Sequence, residues 1–397
     1  MDTQKLNIAC IFEGNLHNGG GFQTQLSTIV ALNEYQNYQI TAFTFSKENH
    51  ELLVSNGLKT IYIKVNFLDK IFKILSLQEW FYIFSSTFKL KTFFEKSLVK
   101  HHIDLIYFLA PSSLALSLVS HNYIYTIWDL CHRDMPEFPE VNYFREFEIR
   151  ESIYNKAPKK AIAVLTDSEL GRDNAIRRYN LDSNRVFSAS FVPSANAKKT
   201  GFLDIKKKYQ VDGEYIYYPA QFWAHKNHVY IIDAIAKLKE KGIFLTAIFS
   251  GSDKGNLDYV LNYAQKLNVA DLVRYIGFAP DDEIYHLYKQ SLALVMPSYF
   301  GPTNIPPLEA FAIGTPVIYS DLAGLREQVA DAALLCDLKN PQNLVEHLRL
   351  LLHNPDRRLE LIEQGYRRLN ELQKTSVSHV LMQIFDDFLI KLKCWKS

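Results

Sequence analysis

Cysteine, methionine and tryptophan are scarce, at four residues each in a chain of 397. Cys10, Cys131, Cys336 and Cys394 are widely scattered and show no metal-ligand spacing, which argues against a disulfide scaffold and a thiolate metal centre. A reduced, cytoplasmic protein is expected. Net charge is nearly absent too, at +1 from 44 basic and 43 acidic residues. No nucleic-acid partner is expected, because a phosphate backbone is normally met by a strongly basic domain. Nor is there an uncharged apolar run long enough to cross a bilayer, and the strand-like stretch 5–12, closed by Glu13, does not read as a signal peptide.

What remains is a globular composition, 48% hydrophobic and 22% charged, with length for two domains of roughly 180 to 200 residues. Strand-like runs at 6–12, 39–45, 61–65, 103–108, 123–127 and 162–165 alternate with helical stretches. A second series follows at 215–218, 244–249, 272–276, 292–296, 317–320 and 333–336. That alternation predicts parallel sheets covered by helices on both faces. The polar segment 193–201 reads as the linker, giving expected domains 1–195 and 202–374. In open sheets of this kind ligands bind beyond the carboxyl ends of the strands, so two such domains would hold a substrate between them.

The stretch 297–316 carries the clearest chemistry. It follows the apolar run 292–296, and Pro306 and Pro307 fit only the first turn of a helix. The main-chain N–H groups of Thr303, Asn304 and Ile305 are then expected to lie unpaired at a positive helix end, a receptor for phosphate or sugar hydroxyls. Glu309 lies one turn in, where it either binds ribose hydroxyls or merely neutralises the dipole. The run 215–229 repeats the strand, loop, helix pattern, with Lys226 just before a helix of about 227–241. A cation there is unfavourable without an anion to balance it, which favours a ligand role. The loops 250–253 and 277–280, with Gly251 and Phe278, end further strands on the same edge, where they are expected to frame a base and ribose by main-chain contacts.

In the first half, the glycines Gly19, Gly20 and Gly21 precede a helix with Phe22, Leu26, Ile29 and Val30 on one face. Their order is not the dinucleotide fingerprint, so a sugar or anion contact and a plain structural turn both stand. His17 beside them is a ligand contact or a solvated loop residue. At the end of run 123–127, Asp129 and His132 are the nearby groups able to exchange a proton with a substrate hydroxyl, and a structural Asp129 capping the next turn is the competing reading. Residues 64–100 mix aromatics with seven lysines against three acids. They suit either peripheral contact with an anionic membrane surface or helices packed on the sheet with snorkelling lysines.

The second half resembles the GT-B nucleotide-sugar glycosyltransferases, specifically the retaining glycosyltransferase family 4. The family's Gly-Arg signature with a Lys five residues after the Arg aligns with Ala220, Gln221 and Lys226. Its paired-glutamate signature aligns with Gly301 through Glu309, followed by Ala310 and by Gly314, Thr315 and Pro316. The segment 324–329 fits as well. The first half is similar only through the glycine loop, the loop at Trp128, Asp129 and Leu130, and the stretch 165–168. The resemblance implies two Rossmann-like doubly wound domains facing a cleft, with a final helix within 375–397 crossing back to the first.

It also implies transfer of a hexose, with retention, from a nucleotide diphosphate sugar to a glycan or lipid-linked acceptor in cell-surface polysaccharide assembly. No cofactor or metal is expected. Glu309 would hold the ribose and Lys226 the diphosphate, with Asp129 and Glu309 the catalytic candidates and Gly20, Gly21, Gln221, Gly251, Phe278, Gly301, Thr303, Asn304 and Ile305 lining the donor site. Three positions depart from the pattern: Gln221 for the diphosphate-binding arginine, Gly301 for the first glutamate and Trp128 for a histidine. Gly301 would leave room near the sugar and set donor preference. A nucleotide-sugar 2-epimerase of the same fold, or a non-catalytic binding subunit, are the alternatives.

Overall fold

The structure, a computed structural model, describes residues 5–14, 20–35, 37–64, 67–76, 78, 80, 83–84, 87–88, 90–191, 193, 201–301 and 303–395. His17, Gly19 and most of the expected linker lie outside these residues.

Among the described residues thirteen strands form two sheets. The first contains β1 (Leu6–Phe12), β2 (Tyr38–Thr44), β3 (Thr60–Tyr62), β4 (Leu105–Phe108), β5 (Asn122–Ile127), β6 (Ala163–Thr166) and β7 (Val186–Ser188), in the order β3-β2-β1-β4-β5-β6-β7. The second contains β8 (Tyr215–Pro219), β9 (Thr246–Ser250), β10 (Val273–Tyr275), β11 (Ala293–Met296), β12 (Val317–Ser320) and β13 (Leu334–Cys336), in the order β10-β9-β8-β11-β12-β13. Every pairing is parallel. Such strands are buried on both faces, which is why the sequence shows them as apolar runs rather than alternating ones. In β1, Leu6, Ile8, Cys10 and Phe12 enter one core while Ala9 and Ile11 enter the core on the opposite face.

Two differences from the sequence reading have local causes. The run at 103–108 begins as strand only at Leu105, because His102 takes a left-handed backbone (φ 54°) and the Ile103 N–H closes the preceding helix onto Leu98 O at 3.1 Å. β7 was not foreseen: three residues long, with only Val186 buried, it carries too little pattern.

The chain divides into two compact units. One comprises Met1–His132, Phe144–Phe191 and Thr375–Ser397; the other comprises Arg133–Tyr143 and Val192–Lys374. In the first unit the last helix, Val377–Leu392, buries Val377, Val380, Leu381, Ile384, Phe385, Phe388 and Leu392, the three-and-four spacing of one helical face, against the core that holds Leu6 and Ile8. Tyr38 packs edge-on to Phe385 at 5.2 Å and donates its hydroxyl to Asp386 at 2.6 Å. The helix is led in by the Ser190 N–H, which donates to Thr375 O, and by the Val377 N–H, which donates to Ser190 O. The four cysteines are free thiols, three of them buried.

The order of strands locates a crevice in each sheet. Connections leave β1 and β4 on opposite sides in the first, and β8 and β11 on opposite sides in the second, so the loops at those carboxyl ends diverge and leave room for a ligand.

The first unit also holds a buried carboxylate. Glu95, inaccessible to solvent, accepts from the main-chain N–H groups of Val119 and Ser120, from the Ser120 hydroxyl, and pairs with His121 Nδ1 at 3.1 Å. Burial alone would raise its pKa, but these donors prevail and hold it below the usual value. Its contribution to stability is therefore complete above the unfolded carboxylate pKa of about 4.3 and is lost as pH falls through the lower folded value. Acid titration of unfolding should show a shallower loss in Glu95→Gln than in wild type, with Glu95→Gln less stable at pH 7.

Candidate functional site

The second unit's crevice is built by the loops that leave β8 and β11. After Pro219 the chain stays paired beside the β9 loop, with the Ala220 N–H on Ser250 O at 2.8 Å and the Phe222 N–H on Ser252 O at 3.0 Å. It then makes the tight turn Ala224–Lys226, passes through Asn227 in a left-handed conformation (φ 55°), and starts the helix His228–Glu240. The buried Tyr218 hydroxyl donates to Lys226 O at 2.9 Å and fixes that turn. From β11 the chain runs to Gly301, at φ 95°, and into the helix Ile305–Ile313, with two prolines in its first turn. The two loops meet where Lys226 Nζ donates to Asn304 Oδ1 at 3.1 Å. Residues 78 positions apart in sequence are thus brought to one helix N-terminus.

One expectation is corrected here. The Asn304 N–H is not unpaired: it donates to Gln328 Oε1 at 3.0 Å, and Gln328 Nε2 returns a bond to Asn304 O at 2.6 Å. The Asn304 side-chain amide donates to Tyr319 Oη at 2.6 Å, and Tyr319 in turn donates to Gln328. Gln328 and Tyr319 are both buried while Asn304 is half-buried, so leaving any of these groups unpaired would be costly. What Asn304 offers the site is its side chain, aimed at Lys226. Thr303 is half-buried and has partners of its own, and Ile305 is the first residue of the helix.

Glu309, half-buried one turn in, accepts from the Tyr288 hydroxyl at 2.8 Å. Burial foremost, and then the Glu309 charge, push the Tyr288 pKa far up, so Tyr288 is a permanent donor. Its ring meets Tyr217 edge-on at 5.0 Å, and Tyr217 bonds Ser250 Oγ at 2.8 Å. Gln328 lies in the family-like segment 324–329 without being marked there as a site residue, and nothing in the sequence pattern marks Tyr319 or Tyr288, whose buried hydroxyls must nonetheless find partners.

Gly251 is required by close approach: at φ 145°, a Cβ there would lie 2.3 Å from Ala220 O. Its N–H donates to Gly277 O at 2.8 Å, and the Phe278 ring beyond is 67% exposed. Gln221, where the family has arginine, accepts from Trp223 Nε1 at 2.9 Å. Lys254 Nζ stands 5.6 Å from the centre of that indole and brings an ammonium to the same loop. His228 is held neutral by burial, its pKa lowered to about 3. Gly301 owes its identity to backbone: at φ 95° a side chain is strained even though the space is adequate, with Asn304 atoms 3.4 Å from a built Cβ.

In the first unit the helix Gly20–Asn33 begins at Gly20, and a Cβ on Gly21 would lie 3.5 Å from Trp128 Cη2. The indole that replaces the family's histidine lies over that glycine and donates to Leu109 O at 3.2 Å. Asp129 Oδ1 accepts from the Cys131 N–H at 3.0 Å and from Arg150 Nη1 at 2.8 Å. Burial would raise its pKa, but the Arg150 guanidinium prevails and lowers it. Asp129 is thus held as a carboxylate by Arg150. His132, inaccessible to solvent, bonds Glu151 at 2.8 Å and lies 3.2 Å from the Tyr179 hydroxyl, so it faces the core and not a substrate.

Among the described residues no group of three or more His, Cys, Asp or Glu side chains is placed to hold a metal, and no helix is long and apolar enough to cross a membrane.

The architecture is GT-B. A glycosyltransferase from Rickettsia africae superposes with a TM-score of 0.72 over 99% of both chains at 14% identity. Anabaena HepE, solved with UDP-glucose, does so with 0.70 over 96% of this chain and 99% of its own at 17% identity. Residues 202–368, the region that carries Lys226 and Glu309, match the family described as glycosyl transferases group 1. O-antigen chain mannosyltransferase B of Escherichia coli is 26% identical over 218 residues, 53% of this chain and 56% of the relative. O-antigen chain mannosyltransferase RfbU of Salmonella typhimurium is 29% identical over 221 residues, 54% and 57% respectively. The chain thus spans a little over half the length of these relatives.

The two glycines separate by strain and contact. Gly301→Ala should lower unfolding free energy by roughly 1 to 2 kcal/mol, the usual left-handed penalty. Gly251→Ala, which forces backbone apart, should cost clearly more in the same urea titration.

Proposed function

We propose that the protein is a retaining hexosyltransferase that moves a sugar from a nucleotide diphosphate donor to a glycan or lipid-linked acceptor in cell-surface polysaccharide assembly. The observation that carries this reading is the meeting of Lys226 with Asn304 at the N-terminus of the helix Ile305–Ile313, with Glu309 one turn in. The helix dipole and the ammonium create positive potential at one point, which suits a diphosphate and, more strongly, the charge that develops on it as the glycosidic bond breaks. In this reading Glu309, which accepts from Tyr288, would take ribose hydroxyls, and the exposed Phe278 ring would offer a face to a base. The names of the relatives, O-antigen mannosyltransferases, and the UDP-glucose in the HepE structure support the class of donor and acceptor.

Calorimetry with UDP, GDP and ADP identifies the base. Lys226→Ala and Glu309→Ala should each weaken the binding diphosphate about tenfold or more, the loss of one charge-assisted contact. Wild-type affinity in both variants would overturn the site. Because Lys226 and the helix end meet the leaving-group charge, EDTA should leave turnover unchanged. Product formed from donor alone would instead indicate a 2-epimerase, and background turnover despite binding a non-catalytic subunit.

We further propose that this takes place in the cytoplasm, with residues 64–100 resting on the inner membrane face. In support, Phe67, Ile74, Trp80 and Phe88 are each more than 60% exposed, far more apolar ring and chain than a solvated surface favours. Co-sedimentation with anionic liposomes should be strong for wild type and weakened in Lys89→Glu with Lys91→Glu; absence of binding by wild type would refute it.

A further inference from the structure

The chain leaves its first compact unit for eleven residues. Arg133–Tyr143 packs with the second unit, while His132 before it and Phe144 after it belong to the first. The return runs through Phe144 and Arg145, both left-handed (φ 56° and 62°) and neither glycine, a backbone conformation that L-residues adopt only at an energetic cost. The contacts made by the excursion are specific. Glu140 Oε1 accepts from the His225 main-chain N–H at 2.9 Å and also bonds His225 Nδ1. Both side chains are buried, at 7% and 10% exposure. Burial would raise the Glu140 pKa, but the two bonds from His225 hold it low, so the group is a carboxylate and not an acid.

His225 precedes Lys226 in the tight turn. Its ring stacks on Phe300 at 3.8 Å and 17°, and its carbonyl accepts from the Tyr299 N–H at 2.9 Å. Phe138, two residues before Glu140, closes the other side, edge-on to Phe300 at 5.5 Å and tilted against Tyr299 at 5.4 Å. One short segment therefore grips both loops of the crevice, the one bearing Lys226 and the one leading to Gly301 and Asn304. Burying a carboxylate beside a site meant for an anion costs solvation and opposes the ligand's charge. Core packing alone would be served better by an apolar side chain, so the placement of Glu140 points to a positional requirement.

We infer that Glu140 is a positioning residue for the donor diphosphate: through His225 it sets the Lys226 turn against the Tyr299–Gly301 loop. The inference rests on the proposed role of Lys226, so its test has one arm without ligand. Hydrogen exchange on the full chain reads the His225 and Tyr299 amides directly. Glu140→Ala should raise exchange at both, and unchanged protection overturns the latch whatever the ligand is.

The second arm is titration of whichever of UDP, GDP and ADP binds wild type. Glu140→Ala should weaken it about tenfold, as for a lost charge-assisted contact. Glu140→Gln, whose amide oxygen still accepts the His225 N–H, should recover to within about threefold, and it guards against simple misfolding of the alanine variant. In a Lys226→Ala background, Glu140→Ala should cost less than about twofold, since coupled residues are not additive. An undiminished loss in that background would mean general loosening and overturn the inference. Failure of wild type to bind any of the three, with amide protection behaving as expected, would reject the donor reading while leaving the latch standing.

Discussion

Everything at the crevice depends on how Asn304 is satisfied. It sits at the join of a loop and a helix, where main-chain donors are normally orphaned. Its N–H and carbonyl are both taken by Gln328, its side-chain amide reaches Tyr319, and its side-chain oxygen is left to Lys226. A buried network of this kind is costly if any member is missing and rigid when all are present. The lysine is thereby held to the helix end by that scaffold.

The same logic recurs in the tyrosines. Tyr217, Tyr218, Tyr288 and Tyr319 are all fully buried, and each hydroxyl ends on a group that shapes a site loop: Ser250, the Lys226 carbonyl, Glu309 and Gln328. An aromatic ring fills the core while its hydroxyl reaches the sheet edge, so one residue type links packing to the geometry of the crevice. The bulk of the second unit's core and its polar edge are in this sense one structure.

The three departures from the family pattern acquire distinct physical meanings. Trp128 lies over Gly21, so its change alters what covers a helix start. Gln221 is turned toward Trp223, and a neighbouring ammonium, Lys254, comes from the adjoining loop. Gly301 holds a backbone angle that other residues resist, which makes it a conformational choice as much as the removal of a carboxylate.

The strand series and the proline-marked helix were legible from sequence, because parallel strands write themselves as apolar runs and proline permits few positions. Local chemistry determined the elements and their order. Only the tertiary structure decided which polar atoms are spent and which remain: that the Asn304 N–H is taken, that Asp129 is tied to Arg150, that His132 faces the core, and that Glu140 reaches His225 from 85 residues away. Hydrogen bonds between residues distant in sequence leave no periodicity to read. They are fixed by burial, which makes each unpaired donor or acceptor expensive and so selects the one arrangement that pairs them.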